Sequence, residues 1–165
     1  MSNSERKWID PDGKIISYSS LIEWIKDSKI SLNQDSELII GTDSHLHKYL
    51  YRFITVVCIY KKGRGGNYFY TVSEQHKKEF KGNYPTRVKA RMLHETSLAI
   101  EIATELQEIT GYRPVIHLDA SPPETGELTS AFSDQLKGYV IASGFECFIK
   151  PWSFVSSSIA NKHSK

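Results

Sequence analysis

Three carboxylates in this chain lie where a fold can aim them at one point. Asp43 follows the short apolar run Glu37 to Thr42 (ELIIGT), and Asp119 follows Val115 to Leu118 (VIHL). An acid at the carboxyl end of a buried strand stands on a rigid platform, the place where open α/β sheets bind ligands. Taken singly, each also reads as an ordinary turn former or helix cap. A third acid changes the weighing. Val88, Met92, Ala99, Ile102 and Leu106 form an apolar stripe at helical spacing with one gap of seven, and Glu95 fills that gap. Its side chain is therefore expected to face the sheet, whereas Glu101, Glu105 and Glu108 fall with Ser97 on the opposite, solvated face. A carboxylate on an apolar face is costly unless a cation or donor meets it. Three converging acids repel one another and partly protonate unless a divalent ion neutralises them. Ligands that are all oxygen suit Mg²⁺ or Mn²⁺ better than Zn²⁺. Two such ions, about 3.5–4 Å apart, are the apparatus of in-line phosphodiester hydrolysis. Asp43, Glu95 and Asp119 are thus candidate metal ligands and candidate catalytic residues.

The elements that must position them can be read in order. With 165 residues the chain has room for one domain with a substantial core. Residues 1–36 read as an N-terminal appendage: Asp10-Pro11-Asp12-Gly13 makes a hairpin turn between Trp8-Ile9 and Ile15-Ile16. Ser20-x-x-Glu23 has capping-box spacing for a short helix ending near Lys29, and Asn33 to Ser36 form a linker. Residues 37–165 read as the main domain. Its first strand is Glu37–Thr42, followed by Tyr51–Tyr60 and Asn67–Ser73, with a glycine-rich turn at 61–66. Short connections make these three antiparallel. Pro85 opens a long helix that Gly111 and Pro114 stop. Val115–Leu118, a second helix through Leu128, Phe132, Leu136 and Tyr139, the strand Phe145–Ile149 and a terminal helix capped by Ser153 complete the order β-β-β-α-β-α-β-α. That order predicts a five-stranded mixed sheet flanked by helices.

With Asp43 on strand one, Glu95 on helix one and Asp119 after strand four, this succession resembles the ribonuclease H-like fold. The segments Ile40-Gly41-Thr42-Asp43-Ser44, Arg91 to Ala103 (RMLHETSLAIEIA), His117-Leu118-Asp119 and Ile149-Lys150-Pro151, with the Ser-rich close, resemble the YkuK-type ribonuclease H-like family. The resemblance spans roughly 37–165. It implies a divalent-metal-dependent nuclease acting on RNA, DNA or a hybrid. Nucleases of this superfamily usually carry a fourth acid, or sometimes a histidine, on the last helix. Here that helix offers Asn161, a weaker neutral oxygen ligand, and His163, a candidate proton shuttle or ligand. The alternative is the same fold kept as a non-catalytic module that binds nucleic acid or protein, which the missing fourth acid favours.

Other features narrow the field. Lys+Arg number 21 against 19 Asp+Glu, so net charge alone names no partner and its distribution must decide. Lys61, Lys62 and Arg64 on the hairpin turn, and Lys77, Lys78, Arg87 and Arg91 before and within the long helix, are candidate nucleic-acid contacts, with Tyr68, Tyr70, Phe80 and Tyr84 interleaved. Solvated loop lysines explain the same pattern. Asp43-Ser44-His45-Leu46-His47 also resembles the motif opening TatD-like metal barrels, but a (β/α)₈ barrel needs about 250 residues. His45 reads as an exposed loop residue, His94 as a helix-surface residue and His117 as a strand residue. Phosphate binding as in actin-like ATPases is disfavoured by the absence of glycine-rich phosphate loops after strands one and four. Cys58 and Cys147 read as buried free thiols of a cytoplasmic protein, and no apolar run reaches the roughly 20 residues of a membrane helix.

Overall fold

A computed structural model describes residues 2–30 and 35–165. Three long strands dominate it: β3 (Ser36–His47), β4 (Leu50–Lys61) and β5 (Gly65–His76) pair antiparallel as a meander. Preceding them are the hairpin β1 (Trp8–Ile9) and β2 (Ile15–Ile16) and helix α1 (Tyr18–Asp27). After them come α2 (Tyr84–Thr110), β6 (Val115–Leu118), α3 (Ser130–Ala142), β7 (Glu146–Phe148), a π-helical segment at Val155–Ala160 and α4 (Asn161–Ser164). The sheet order is β2-β1-β5-β4-β3-β6-β7, with β6 and β7 parallel to β3.

The sheet has seven strands rather than five because β1 pairs antiparallel with β5 and carries β2 on its outer edge. Trp8, Leu21 and Ile25 are fully buried in the core that also holds Ile40, Ala99 and Leu106. Glu101 accepts from Arg6 at 3.0 Å, and Glu105 accepts from the Tyr18 hydroxyl at 2.7 Å. Two of the acids assigned to a solvated helix face therefore fasten the N-terminal segment to α2.

Local differences have plain causes. The cap of α1 is Ser17, whose side chain accepts from the Ser20 N–H, so the helix starts before the Ser20 capping box. Of the expected linker, Asn33 and Gln34 lie outside the described residues, and Ser36 already belongs to β3. β3 runs on through Asp43 to His47, because β4 offers it partners along its whole length. No side chain caps the π-helical segment; Ser153 instead lends it a carbonyl, which accepts from the Ser156 and Ser157 hydroxyls. Helix α2 is capped by Asn83, accepting from the Thr86 N–H, and ends at Gly111 with a left-handed φ of 76°.

Two layers cover the sheet. Leu38 and Ile40 of β3 face α1, α2 and α3, whereas Ile39 faces the C-terminal segment with Val155 and Ala160. Gly41 explains how closely that segment lies: a Cβ there would stand 2.7 Å from the Ser156 backbone nitrogen. Only a residue without a side chain lets the π-helical turn rest on the strand.

Candidate functional site

The site begins where two parallel strands stop matching. β6 pairs with β3 only as far as Thr42 opposite Leu118. Continuing the register one step sets Asp43 beside Asp119. Beyond it β3 keeps β4 as a partner but, among the described residues, has no strand partner on the β6 side, which leaves a notch there. Asp43 is thus within a strand rather than after one, and the ending strand is its neighbour.

Successive residues of β3 point to opposite faces, and each holds one acid. Asp43 is turned toward the C-terminal segment, where the Ser164 hydroxyl donates to its Oδ2 at 3.0 Å. Ser44 is turned toward α2 and donates through its hydroxyl to Glu95 Oε1 at 2.5 Å. Glu95 is buried, as its place in the apolar stripe requires. Asp119 is partly exposed and pairs with Lys150, Nζ to Oδ1 2.9 Å. The backbone fixes that lysine, since the Lys150 N–H donates to the Ala120 carbonyl at 3.0 Å, extending the β6–β7 neighbourhood past the strands. Arg91, one turn before Glu95, places its Nε 3.8 Å from Glu95 Oε1, an ion-pair distance. Its guanidinium also lies 5.5 Å from the centre of the Tyr51 ring.

The electrostatics record the convergence. Burial, then the charge of Asp43, push the Glu95 carboxyl up to about 8, against the opposing pull of Arg91 and Ser44; Asp119 adds a smaller upward push. Burial and then Asp119 raise Asp43, while bonds from Ser164 and the Ser44 N–H lower it. Asp43 therefore feels Asp119, and Glu95 feels both, across the notch, with the like charge only partly offset. Among the described residues, no group of three or more His, Cys, Asp or Glu side chains is arranged to hold a metal ion. Lys150 and Arg91 hold two of the acids in the present arrangement. The donor chemistry, three carboxyls and no sulfur or imidazole, still fits a hard divalent cation.

The remaining candidates divide. Asn161 is half-buried, one turn before the serine that reaches Asp43, and its carbonyl accepts from the Ser164 hydroxyl. His163 faces away toward β5: its Nε2 shares a hydrogen bond with the Tyr68 hydroxyl at 3.0 Å, and its ring stacks on Tyr70 at 4.1 Å. His94 is packed between Phe53 and Phe80 rather than lying on the helix surface. His117 is buried and its Nδ1 accepts from the Val155 N–H at 3.3 Å; burial holds its pKa down at about 4. His45 is exposed as expected, though on β3 rather than in a loop.

The basic residues also separate. Lys77, Lys78, Arg87 and Arg91 border one concavity that includes Tyr51, at the end of the meander nearer Asp43. Lys61, Lys62 and Arg64 sit at the other end, Lys61 seven residues or about 23 Å along β4 from the partner of Asp43. Sequence reasoning passed over Ser44, Lys150 and Ser164. Alternation along β3 was the available signal for Ser44; a fold back to Asp119 or Asp43, which only tertiary structure supplies, governs the other two.

The family model described as Ribonuclease H-like matches residues 20–165. The chain belongs to the ribonuclease H-like family. The match takes in most of α1 as well as the meander, the acids and the C-terminal segment. A ribonuclease H-like assignment agrees with the mixed sheet and its flanking helices and points toward nucleic acid as the partner class. Comparison with curated proteins and with solved structures gives no match. No helix among the described residues is long and apolar enough to cross a membrane.

Proposed function

We propose that this ribonuclease H-like protein hydrolyses phosphodiester bonds of RNA, DNA or a hybrid with the help of Mg²⁺ or Mn²⁺. One observation carries the reading: the carboxyls of β3, α2 and the end of β6 lie near one point, where the charge of Asp119 raises Asp43 and the charges of Asp43 and Asp119 both raise Glu95. Asp43, Glu95 and Asp119 are the residues that would hold the cation, with the Asn161 amide oxygen as a further neutral ligand. When bound, the ion supplies neutralising charge and a nucleophilic water at neutral pH. The chain's own residues orient the acids: Ser164 fixes one oxygen of Asp43 and Ser44 one oxygen of Glu95. Lys150 offers positive charge beside Asp119, where a substrate phosphate would approach. His163 is held at Tyr68 and Tyr70, so a proton-shuttle role would require its ring to leave them.

The test is cleavage of end-labelled RNA, DNA and hybrid with Mn²⁺, compared with EDTA. Wild type is expected to cut at least one substrate, and Asp43→Asn or Asp119→Asn to abolish cutting, a loss of at least about 10²-fold, while circular dichroism stays native. Cutting by the variants at the wild-type rate would remove these acids from the mechanism.

A second reading has its own support. Lys150 already pairs with Asp119, and among the described residues no three-acid ligand group is formed. A non-catalytic nucleic-acid or protein-binding module would keep such an arrangement. It predicts no change in melting temperature on adding Mn²⁺ and no cleavage of any polymer.

A further inference from the structure

The concavity beside the acids has a composition of its own. About 690 Å³ of space opens between the N-terminal turns of α2, the residues just before them and the near end of the meander. Lys77, Lys78, Lys81, Arg87 and Arg91 line it, and no carboxylate does among the described residues. Four of these cations are exposed and unpaired with any acid in an ion pair among the described residues, and one of them, Lys77, rests its ammonium 4.8 Å from the centre of the Tyr49 ring. Arg91 is the exception and the joint. It lines the groove and also stands 3.8 Å from Glu95, so this one side chain joins the groove wall to the acid notch.

The wall is aromatic as well as basic. Phe80 is buried and edge-on to Tyr51, while Tyr84 leaves 64% of its surface to solvent. An exposed aromatic face beside lysines suits a chain that offers a phosphate and a base at each step. Bases of a duplex are stacked and turned inward, so they cannot lie on Tyr84 inside a concavity of this size. Unpaired bases can.

We infer that this groove seats a single-stranded nucleic acid and leads its backbone past Arg91 to the acids. The inference rests on the nuclease reading for its destination but not for its binding chemistry. The Lys61–Arg64 hairpin, at the far end of the strands, takes no part in it.

The test measures binding to the full chain in EDTA, so that no hydrolysis is needed, by fluorescence anisotropy of a labelled single strand of about 12 nucleotides. The triple variant Lys77→Glu/Lys78→Glu/Arg87→Glu is expected to weaken binding by at least about tenfold at low salt and to flatten its salt dependence. Tyr84→Ala is expected to weaken it by about tenfold with the salt dependence unchanged. A control with the same charge change on exposed lysines elsewhere, Lys14→Glu/Lys26→Glu/Lys137→Glu, stays within about twofold of wild type. A blunt duplex of equal length binds at least about tenfold more weakly. Equal binding of duplex, an equal loss in the control, a loss confined to Lys61→Glu/Lys62→Glu/Arg64→Glu, or equal binding of polyglutamate would each overturn the inference. Because EDTA silences any cleavage, failure of the nuclease reading leaves these affinities intact, and loss of the groove leaves the Asp43→Asn comparison intact.

Discussion

Glu95 is the residue on which the electrostatic argument can be checked most simply. Its carboxyl is buried and feels the charge of Asp43, and its pKa is pushed up to about 8 from an ordinary 4.5. A raised folded-state pKa means that folding takes up a proton. The stability linked to Glu95 is therefore complete below the ordinary carboxylate range and is lost as pH rises toward and through 8. In EDTA, urea unfolding from about pH 5 to about pH 9 should show stability declining by at most about 1.4 kcal/mol per pH unit. Glu95→Gln, isosteric and uncharged, should remove that part of the decline and be the more stable protein at the alkaline end. A variant curve parallel to wild type would mean that Glu95 is already charged and satisfied. The thiols give a second check at this scale. Cys58 and Cys147 are free and buried, with burial raising them to about 12 and about 11. Both should resist a thiol reagent at pH 8 in the native state and react at once in urea; rapid native labelling would show that one of them is open.

Among the elements, the C-terminal segment bears most directly on the site because it delivers Ser164 to Asp43. Its seat is Gly41. Gly41→Ala would put a methyl 2.7 Å from the Ser156 nitrogen, and overpacking of this kind costs about 1–3 kcal/mol. The expected result is a lower melting temperature together with loss of the Ser164 contact, visible as further elevation of the Asp43 carboxyl in a carboxyl-carbon NMR titration. An unchanged melting temperature would show that the segment shifts freely. Much at this scale was legible beforehand. The apolar stripe of α2 with its filled gap placed Glu95 correctly, and VIHL ended at Leu118 as its length implied. What escaped was set by distant partners. β3 extends through Asp43 because β4 pairs with it to His47, and His94 is covered because Phe53 and Phe80 happen to lie opposite. Periodicity along one segment holds no information about such neighbours.

At the scale of the whole molecule, the N-terminal hairpin and α1 belong to the sheet and its core. Trp8 is fully buried on the strand that pairs with β5, and its indole N–H donates to the Asn3 carbonyl at 3.1 Å. Trp8→Ala should cost about 3–5 kcal/mol in urea unfolding, while a loss under about 1 kcal/mol would mark this part as a detachable appendage. The near-neutral total charge conceals a polar layout: acids in one notch, a basic groove adjoining it, and a separate basic hairpin at the far end of the strands. The inward-facing Glu95 and the place of Asp119 just past β6 were foreseeable, because helix faces and strand ends can be read locally. The basic and aromatic residues around the start of α2 were legible too, but not their closure into a concavity by Leu46 of β3 and Tyr51 of β4, which only folding brings near. The most direct measurement of the central claim is the binding of Mn²⁺ itself, followed by the electron paramagnetic resonance signal of the free ion. The account predicts that wild type removes Mn²⁺ from solution and that Asp43→Asn and Asp119→Asn do not. A wild type that leaves the signal untouched, or variants that bind as wild type does, would contradict it.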